Sequence, residues 1–315
     1  IGGGPAYGHH RAVAQGRQAD GGGTGLDRRG AGEDDGLAGG QVIGPKRNVV
    51  IGQAVIAAQA QGAQALGQIA ARPIGTQAQH PRPLGDGLRR RDQAVGAVIA
   101  RRCGIGLHTG RQVTLTFKPA EPNHGYRFQR VDLPEQPLIP ADVKLVYSTN
   151  RGTTLKSGEA QVSTVEHVLS ALVGMEIDNV LLEIDGPEMP IMNGTSMPFV
   201  EALQKAGRVE LEAARDYFEI TEPISYKDEV TGTELMALPS DHYEVTAMID
   251  FNSKVLGPQF AALNDLSEYN TEIAPCRTFV FLHELEKLLD MGLVKGGDLD
   301  NAIVIVDRKM DQEEL

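Results

Sequence analysis

The residues with the clearest chemical potential are an adjacent glutamate and histidine, Glu166 and His167. They lie in QVSTVEHVLSALVGM, residues 161–175, where apolar residues at helical spacing and a closing glycine predict a short amphipathic helix. Ser163 and Glu166 have the spacing of a capping box, which predicts that the pair lies in the first turn. A glutamate beside a histidine resembles half of a metallohydrolase site, but the second histidine that such a motif needs is absent, since position 171 is alanine. From spacing alone, a capped helix with an ordinary histidine remains the alternative.

Further motifs accompany this pair, and together they resemble the UDP-3-O-acyl-N-acetylglucosamine deacetylase family in order and spacing. The resemblance covers almost all of residues 104–315. The matching blocks are GIGLHTG at 104–110, RGTT at 151–154, TVEH at 164–167 with LSAL at 169–172, DNVLLEIDGPEMPIMNGTS at 178–196, PFVEAL at 198–203, ALNDLSEY at 262–269, APCRTFVFLHELE at 274–286 and KGGDLDNAIVIVD at 295–307.

The resemblance implies a zinc-dependent hydrolysis in lipid A biosynthesis. Its substrate would be UDP-3-O-acyl-N-acetylglucosamine, and its product would be acetate together with the free amine. Such a hydrolysis needs a Lewis acid, a base for the attacking water and a donor for the oxyanion. By match to the family's motifs, His167 is a Zn²⁺ ligand, Glu166 is the general base and Thr278 supplies a hydroxyl near the oxyanion.

A substrate-binding surface is implied in the same way. Phe279, Phe281 and Leu285 fall in the inserted β-α-β element that forms the family's acyl-chain passage, and His108 in GLHTG falls near the substrate. From the residues alone, core packing remains the alternative for the three apolar side chains. A polar turn residue remains the alternative for His108.

The sequence also departs from the family pattern. The resemblance places the other two zinc ligands, a histidine and an aspartate, beyond Leu315. We therefore expect this chain to hold one zinc ligand of three and a C-terminally truncated second domain. We also expect no turnover by this chain alone. His283 is expected in the acyl-passage region and not as a substitute ligand. Asn193 stands where aspartate is expected. The rival hypothesis is a non-catalytic α/β fragment that binds only a nucleotide sugar or a partner.

The helices and strands that must position these residues indicate an α+β fold. It is predicted to consist of two similar layered α/β domains, 104–213 and 216–315, with Glu166–His167 at the cleft between them. Glu210–Arg215 is predicted to be a polar connector. Helices are predicted after Ser163, after Ser196 and over Thr278–Met291. Strands are predicted at Val113–Phe117, Val180–Ile184, Tyr217–Ile220, Thr233–Leu238, Tyr243–Asp250 and Ala302–Val306.

Residues 1–102 differ in composition from the rest. The first hundred residues hold 22 of the 37 glycines, a single aromatic residue (Tyr7) and no serine. Such a segment buries too little apolar surface to offset the entropy of ordering its backbone. We therefore expect either a disordered low-complexity arm or a segment translated in the wrong frame, with only 49–66 as a candidate for weak structure, and an ordinary sequence from Cys103 onward.

Charge and cysteine content exclude several classes of protein. The net charge is −12, and residues 1–102 carry 13 Lys/Arg against 7 Asp/Glu, so the remainder is strongly acidic and a nucleic-acid partner is not expected. No apolar run approaches the length of a membrane span, and no secretory signal is predicted. Two cysteines without a CxxC pair fit a reducing cytosol, which predicts a cytoplasmic protein of undetermined oligomeric state.

Overall fold

The structure, a computed structural model, describes residues 10–12, 92–215, 217, 220–309 and 313. It is a mixed fold in which strands outnumber helices, and this confirms the predicted class of layered α/β domains. No helix in the described part of the chain has the length and apolarity needed to span a bilayer.

Strand β1, His10–Ala12, pairs with strands that follow residue 220. The elements from residue 92 to residue 214 form the layer that carries the Glu–His pair. They are β2 Asp92–Gly96, β3 Ala100–Ile105, β4 Gln112–Pro119, β5 Tyr126–Arg130, β6 Leu138–Pro140, β7 Val146–Ser148, β8 Thr154–Ser157, β9 Ala160–Val162, α1 Glu166–Gly174, β10 Val180–Ile184, α2 Met197–Ala206 and β11 Arg208–Ala214. A 3₁₀ turn, Val143–Leu145, precedes β7.

The central sheet of this layer has the order β3-β4-β10-β5-β6. Strand β10 is antiparallel to β4 and parallel to β5. Its Val180, Leu182 and Ile184 are buried, because alternate side chains of a strand face the same side and here that side is the core. The strand predicted at Val180–Ile184 is thereby confirmed.

The elements after residue 220 form the second layer. They are β12 Ile224–Lys227, β13 Glu234–Ala237, β14 Val245–Ile249, β15 Gln259–Leu263, α3 Tyr269–Glu272, β16 Phe279–Phe281, α4 Leu282–Asp290 and β17 Ile303–Ile305, with a 3₁₀ turn at Leu266–Glu268 before α3. Four of the strands join a sheet of order β12-β13-β1-β14-β15, and β16 pairs with β17 in parallel.

One hydrophobic core connects the two layers. Its buried members include Phe117 and Phe199 from the first layer and Leu263 and Tyr269 from the second. Buried Tyr269 also places its hydroxyl 2.7 Å from Ser170 Oγ on α1. The second layer is therefore packed directly against the helix that begins with Glu166.

Regular structure is present before the boundary predicted at residue 103. Strand β2 has Gln93, Ala94 and Val95 buried and pairs with β11, and β3 pairs with β4 from Ala100 onward. Long-range pairing and burial thus give residues 92–102 a fixed place, which their glycine- and alanine-rich context does not indicate. The expectation for 49–66 falls outside the described residues, as does the rest of 1–91 apart from 10–12.

Two predicted elements are wrong. The expected polar connector at Glu210–Arg215 is mostly strand, because the alternation of polar and apolar residues in β11 pairs with β2. The expected helix Thr278–Met291 is divided, since Phe279–Phe281 pairs with Ile303–Ile305 as a strand and the helix begins only at Leu282. The strand expected at Tyr217–Ile220 is only partly described, and residues 217 and 220 belong to no regular element.

Candidate active site

Helix α1 begins at Glu166 and therefore places the Glu–His pair in its first turn, as predicted. The predicted capping box is wrong: Val165 is the N-cap residue, and no side chain caps the helix. The Ser163 hydroxyl instead donates to the carbonyl of Pro187 at 3.3 Å. The Glu166 carboxylate accepts from the backbone N–H of Thr153 at 2.9 Å, so the glutamate is bound to a loop that is distant in the sequence.

Glu166 has the environment of a proton acceptor. The pKa of its carboxyl is raised from 4.5 to about 7. Burial is the largest cause, the hydrogen bonds from the backbone N–H groups of Thr153 and Glu166 oppose the rise, and the negative charge of Glu188 adds to it. Part of the residue remains accessible. A carboxylate with a pKa near 7 holds and releases a proton with similar ease at neutral pH, which is the property that general base catalysis needs.

His167 lies next to Glu166, and its pKa is shifted in the opposite direction. The residue is buried, and burial lowers the pKa of its imidazole from 6.5 to about 4, so the ring is neutral at pH 7. Its Nδ1 is buried and has no hydrogen-bond partner among the described residues. A neutral imidazole with a free ring nitrogen is the form that binds a metal ion.

The structure brings His108 to the loop that holds Glu166. His108 Nε2 lies 3.3 Å from the carbonyl oxygen of Arg151, two residues before the N–H that binds Glu166. The predicted substrate residue and the predicted base therefore share one short segment, 151–153. The Nδ1 atom of His108 is also buried, and the part of the chain that the structure describes offers it no hydrogen-bond partner.

Thr278 is positioned through its backbone. Its N–H donates to the carbonyl of Gly194 at 2.8 Å, and its carbonyl accepts from Ile303 at 2.9 Å. Gly194 has φ 77°, and a Cβ there would lie 1.9 Å from the carbonyl oxygen of Asn301, so only glycine fits this contact. Within the described residues no hydrogen bond joins Thr278 to Glu166 or His167.

Asn193, the departure noted in the sequence, closes the turn that precedes α2. Its Oδ1 accepts from the backbone N–H of Thr195 at 3.2 Å and from the Thr195 hydroxyl at 2.8 Å. Both are acceptor roles that an aspartate carboxylate would fill equally, so the substitution leaves this turn intact.

The residues expected to line the acyl passage form an aromatic cluster. The rings of Phe251, Phe279 and Phe281 lie 5.2 to 5.9 Å apart in edge-to-face arrangements. Phe281 is buried, whereas Phe279 and Leu285 are half-buried and so retain accessible surface. The Arg151 guanidinium donates two hydrogen bonds, of 3.1 and 3.0 Å, to the carboxylate of Glu284, so helix α4 beside this cluster is joined to the loop that holds Glu166.

Comparison with known proteins identifies the family. A family profile described as LpxC, UDP-3-O-acyl N-acetylglycosamine deacetylase, matches residues 97–315. The chain belongs to this family. It is 45% identical over 210 residues to a bifunctional enzyme LpxC/FabZ of Bacteroides thetaiotaomicron, with 67% of this chain and 46% of that protein covered. It is 47% identical over 212 residues to the enzyme of the same name from Porphyromonas gingivalis, with 67% and 46% covered. A UDP-3-O-acyl-N-acetylglucosamine deacetylase of Myxococcus xanthus is 43% identical over 207 residues, with 66% of each chain covered.

The chain spans about half the length of the first two of these relatives. All the candidate residues from His108 to Leu285 lie inside the region that matches the LpxC family. The predicted boundary at 103 differs from the start of this match at 97, in agreement with the strand found at Ala100–Ile105.

A zinc ion fits His167, but the described residues do not supply the full set of ligands that a zinc site needs. His167 offers a neutral, unpartnered nitrogen, yet no group of three or more His, Cys, Asp or Glu side chains in the described ranges could hold a metal. His283 lies on α4, with its side chain exposed. It does not join His167, because its Nδ1 hydrogen-bonds Asp307. A catalytic zinc normally takes three protein ligands, so these residues do not by themselves make the site.

One polar residue of the site was not recognised from the sequence. Glu188 lies in the loop after β10 with none of its surface exposed, and its charge raises the pKa of Glu166. The available signal was a charged residue inside the apolar stretch PEMPIM, because a charge in such a context is buried only when it has partners.

Proposed function

We propose that this chain supplies the Glu166–His167 part of a zinc-dependent active site that removes the N-acetyl group from UDP-3-O-acyl-N-acetylglucosamine. Family membership over residues 97–315 and the name of the Myxococcus xanthus relative support this substrate. The observation that carries the proposal is the pairing, in one helical turn, of a carboxyl whose pKa is about 7 with a neutral, unpartnered imidazole.

In this proposal Glu166 is the general base. Its carboxylate takes a proton from the water that attacks the amide carbonyl and can return that proton to the departing amine. The N–H of Thr153 fixes one carboxylate oxygen of this base. A bound zinc ion would supply Lewis acidity, with His167 as one of its ligands.

Thr278 is the proposed oxyanion donor. Its backbone is fixed on both sides by Gly194 and Ile303, so the hydroxyl is the group of this residue that could donate to a substrate. A donor that is held in place before the reaction stabilises developing charge without reorganisation, which is the usual basis of oxyanion stabilisation.

The proposed substrate surface consists of His108 and the aromatic cluster. His108 lies next to the loop that binds Glu166, where the sugar would be close to the base. The accessible parts of Phe279 and Leu285, beside Phe281, offer the apolar contact that an acyl chain requires. We place this reaction in the cytoplasm, in the biosynthesis of lipid A.

A non-catalytic role remains the second candidate, because the described residues include no group of three or more side chains that could hold a metal ion. From this ligand count we expect the 315-residue chain alone to bind zinc weakly and to show no measurable turnover. Zinc content after dialysis, measured by atomic emission, tests this expectation. One zinc per chain together with acetate release by the 315-residue chain would overturn it.

The deacetylase proposal itself is tested in a chimera in which residues 97–315 replace the matching part of the Myxococcus xanthus deacetylase. We expect the zinc-loaded chimera to release acetate from UDP-3-O-acyl-N-acetylglucosamine. Thr278→Val in the chimera should lower kcat by about 100-fold, the usual effect of removing one oxyanion donor. A folded, zinc-loaded chimera that releases no acetate would contradict the proposal.

A further inference from the structure

The wholly buried carboxylate of Glu188 binds two separate segments of the site. Its Oε1 accepts from the His108 N–H at 2.9 Å and from the Thr164 hydroxyl at 3.2 Å. Its Oε2 accepts from the N–H of Thr109 at 2.9 Å and from the Thr109 hydroxyl at 2.7 Å. Four donors satisfy a group whose burial would otherwise be strongly unfavourable.

The absence of a side chain at Gly106 lets the Glu188 carboxylate approach the turn before His108. A Cβ on Gly106 would lie 2.5 Å from Glu188 Oε2, so the turn before His108 must carry glycine to accept the glutamate. On the other side, the Ser163 N–H donates to the Pro187 carbonyl at 2.9 Å, and the Met189 N–H donates to the Ser163 carbonyl at 3.0 Å. The glutamate is therefore held from both directions.

The two segments that Glu188 joins are those that carry His108 and Glu166. Thr164 has φ 57°, an unfavourable backbone conformation for a β-branched residue, and it lies two residues before Glu166. Strain of this kind persists only where surrounding contacts hold it, and the hydrogen bond to Glu188 is such a contact.

We propose that Glu188 is a positioning residue, which fixes the His108–Thr109 turn and the start of helix α1 relative to each other. Glu188 does not touch the substrate, because its carboxylate is fully enclosed and occupied by four donors. The catalytic consequence rests on the proposed deacetylase function. The geometric consequence, that His108 and His167 depend on Glu188 for their environment, does not.

Separate valine substitutions distinguish the two arms of the carboxylate. Thr164→Val removes the hydroxyl that bonds Oε1 next to the start of α1, and Thr109→Val removes the hydroxyl that bonds Oε2 at the His108 turn. Glu188→Gln removes the acceptor of one arm, because an amide nitrogen cannot accept, and weakens the other arm, because the remaining oxygen carries no charge. Glu183→Gln is the matched control, since Glu183 lies on β10 and pairs with Lys118 away from the site.

Kinetics in the chimera supply the first readout. We expect Thr164→Val to lower kcat by about tenfold with little change in KM, and Thr109→Val to raise KM by about tenfold with little change in kcat, as the loss of one hydrogen bond to a charged group predicts. Glu188→Gln should change both, and Glu183→Gln neither. Equal changes in kcat and KM for the two valine variants would indicate general loosening and overturn the proposal.

Imidazole NMR spectra of the 315-residue chain supply a readout that does not depend on activity. We expect the ring signals of His108 and His167 to shift in Glu188→Gln and in the valine variants, while those of His124 stay fixed. If the unsubstituted chimera lacks turnover, the deacetylase proposal fails and these spectra alone decide the positioning role. If Glu188→Gln does not fold, the two valine variants decide it. Ring signals that match the Glu183→Gln control in every variant would overturn the proposal.

Discussion

Burial acts in opposite directions on two adjacent side chains at the start of α1. It raises the pKa of Glu166 to about 7 and lowers that of His167 to about 4, so the glutamate tends to hold a proton and the histidine to lack one. Without burial, the glutamate would be ionised at pH 7 and the histidine would be partly protonated. The site therefore keeps a weakly acidic carboxyl and a neutral imidazole in contact with one helix terminus.

These shifts predict opposite dependences of stability on pH in the metal-free protein. Between pH 4.5 and 7 the unfolded state loses the Glu166 proton while the folded state retains it, so the Glu166 contribution to the free energy of unfolding falls as pH rises. Between pH 6.5 and 4 the unfolded state gains a proton on His167 that the folded state refuses, so the His167 contribution is lost as pH falls. Each contribution is on the order of 3 kcal/mol.

Urea denaturation in chelator from pH 4 to 8 measures both effects. Relative to the unsubstituted chain, Glu166→Gln should become more stable as pH rises from 4.5 to 7, because the variant lacks the contribution that declines. His167→Gln should lose relative stability as pH rises from 4 to 6.5. Curves that run parallel to the unsubstituted chain would show that neither pKa is shifted in the folded protein.

The sequence predicts Glu166 and His167 as the central residues of the proposed site but does not predict the contacts around them. The prediction of this pair is possible because its motif is local. The partner of Glu166 is the N–H of Thr153, and the partners of Glu188 are His108, Thr109 and Thr164. Such contacts join residues far apart in the chain, and no local spacing records them.

At the scale of elements, the segment that contains Phe279, Phe281 and helix α4 differs most from the secondary structure predicted from the sequence. The leucine spacing after Thr278 favours a helix, but Phe279–Phe281 forms a strand because Ile303–Ile305 supplies a parallel partner. Pairing with a distant apolar strand outweighs local helix propensity here. The strand then directs Phe281 into the core and leaves Phe279 partly accessible.

This difference in burial predicts separate effects of truncating the two rings. Phe281→Ala should lower the free energy of unfolding by about 3 kcal/mol or more, because a buried aromatic ring leaves a cavity. Phe279→Ala should cost less stability but raise KM more for long-chain than for short-chain acyl substrates in the chimera. Denaturation curves and KM values for two acyl lengths check both parts, and equal effects of the two variants on stability would contradict the assignment.

At the scale of the whole molecule, the shared core predicts that the two layers unfold together. The core cluster contains buried residues from both, and the Tyr269 hydroxyl lies 2.7 Å from Ser170 Oγ on α1. The sequence predicted two layers and their order but not this contact, which depends on how the layers pack.

Calorimetry of the 315-residue chain tests this coupling. We expect one transition whose calorimetric and van't Hoff enthalpies agree. Tyr269→Phe should lower stability by about 1 kcal/mol, the usual contribution of a hydrogen bond, and should keep the single transition. Tyr147→Phe, at a ring that is 66% exposed, is the control and should change neither. Two separate transitions in the unsubstituted chain would show that the layers are independent.

The most direct test of the central claim separates zinc content from turnover in the chimera. If Glu166 is the base and His167 a ligand, Glu166→Gln should retain one zinc per chain and lose at least about 100-fold in kcat, the range expected for a general base. His167→Gln should lose the zinc, and Glu183→Gln should change neither quantity. A Glu166→Gln chimera that keeps its kcat within a few-fold, or that loses its zinc, would contradict the assignment of Glu166 as the catalytic base of this site.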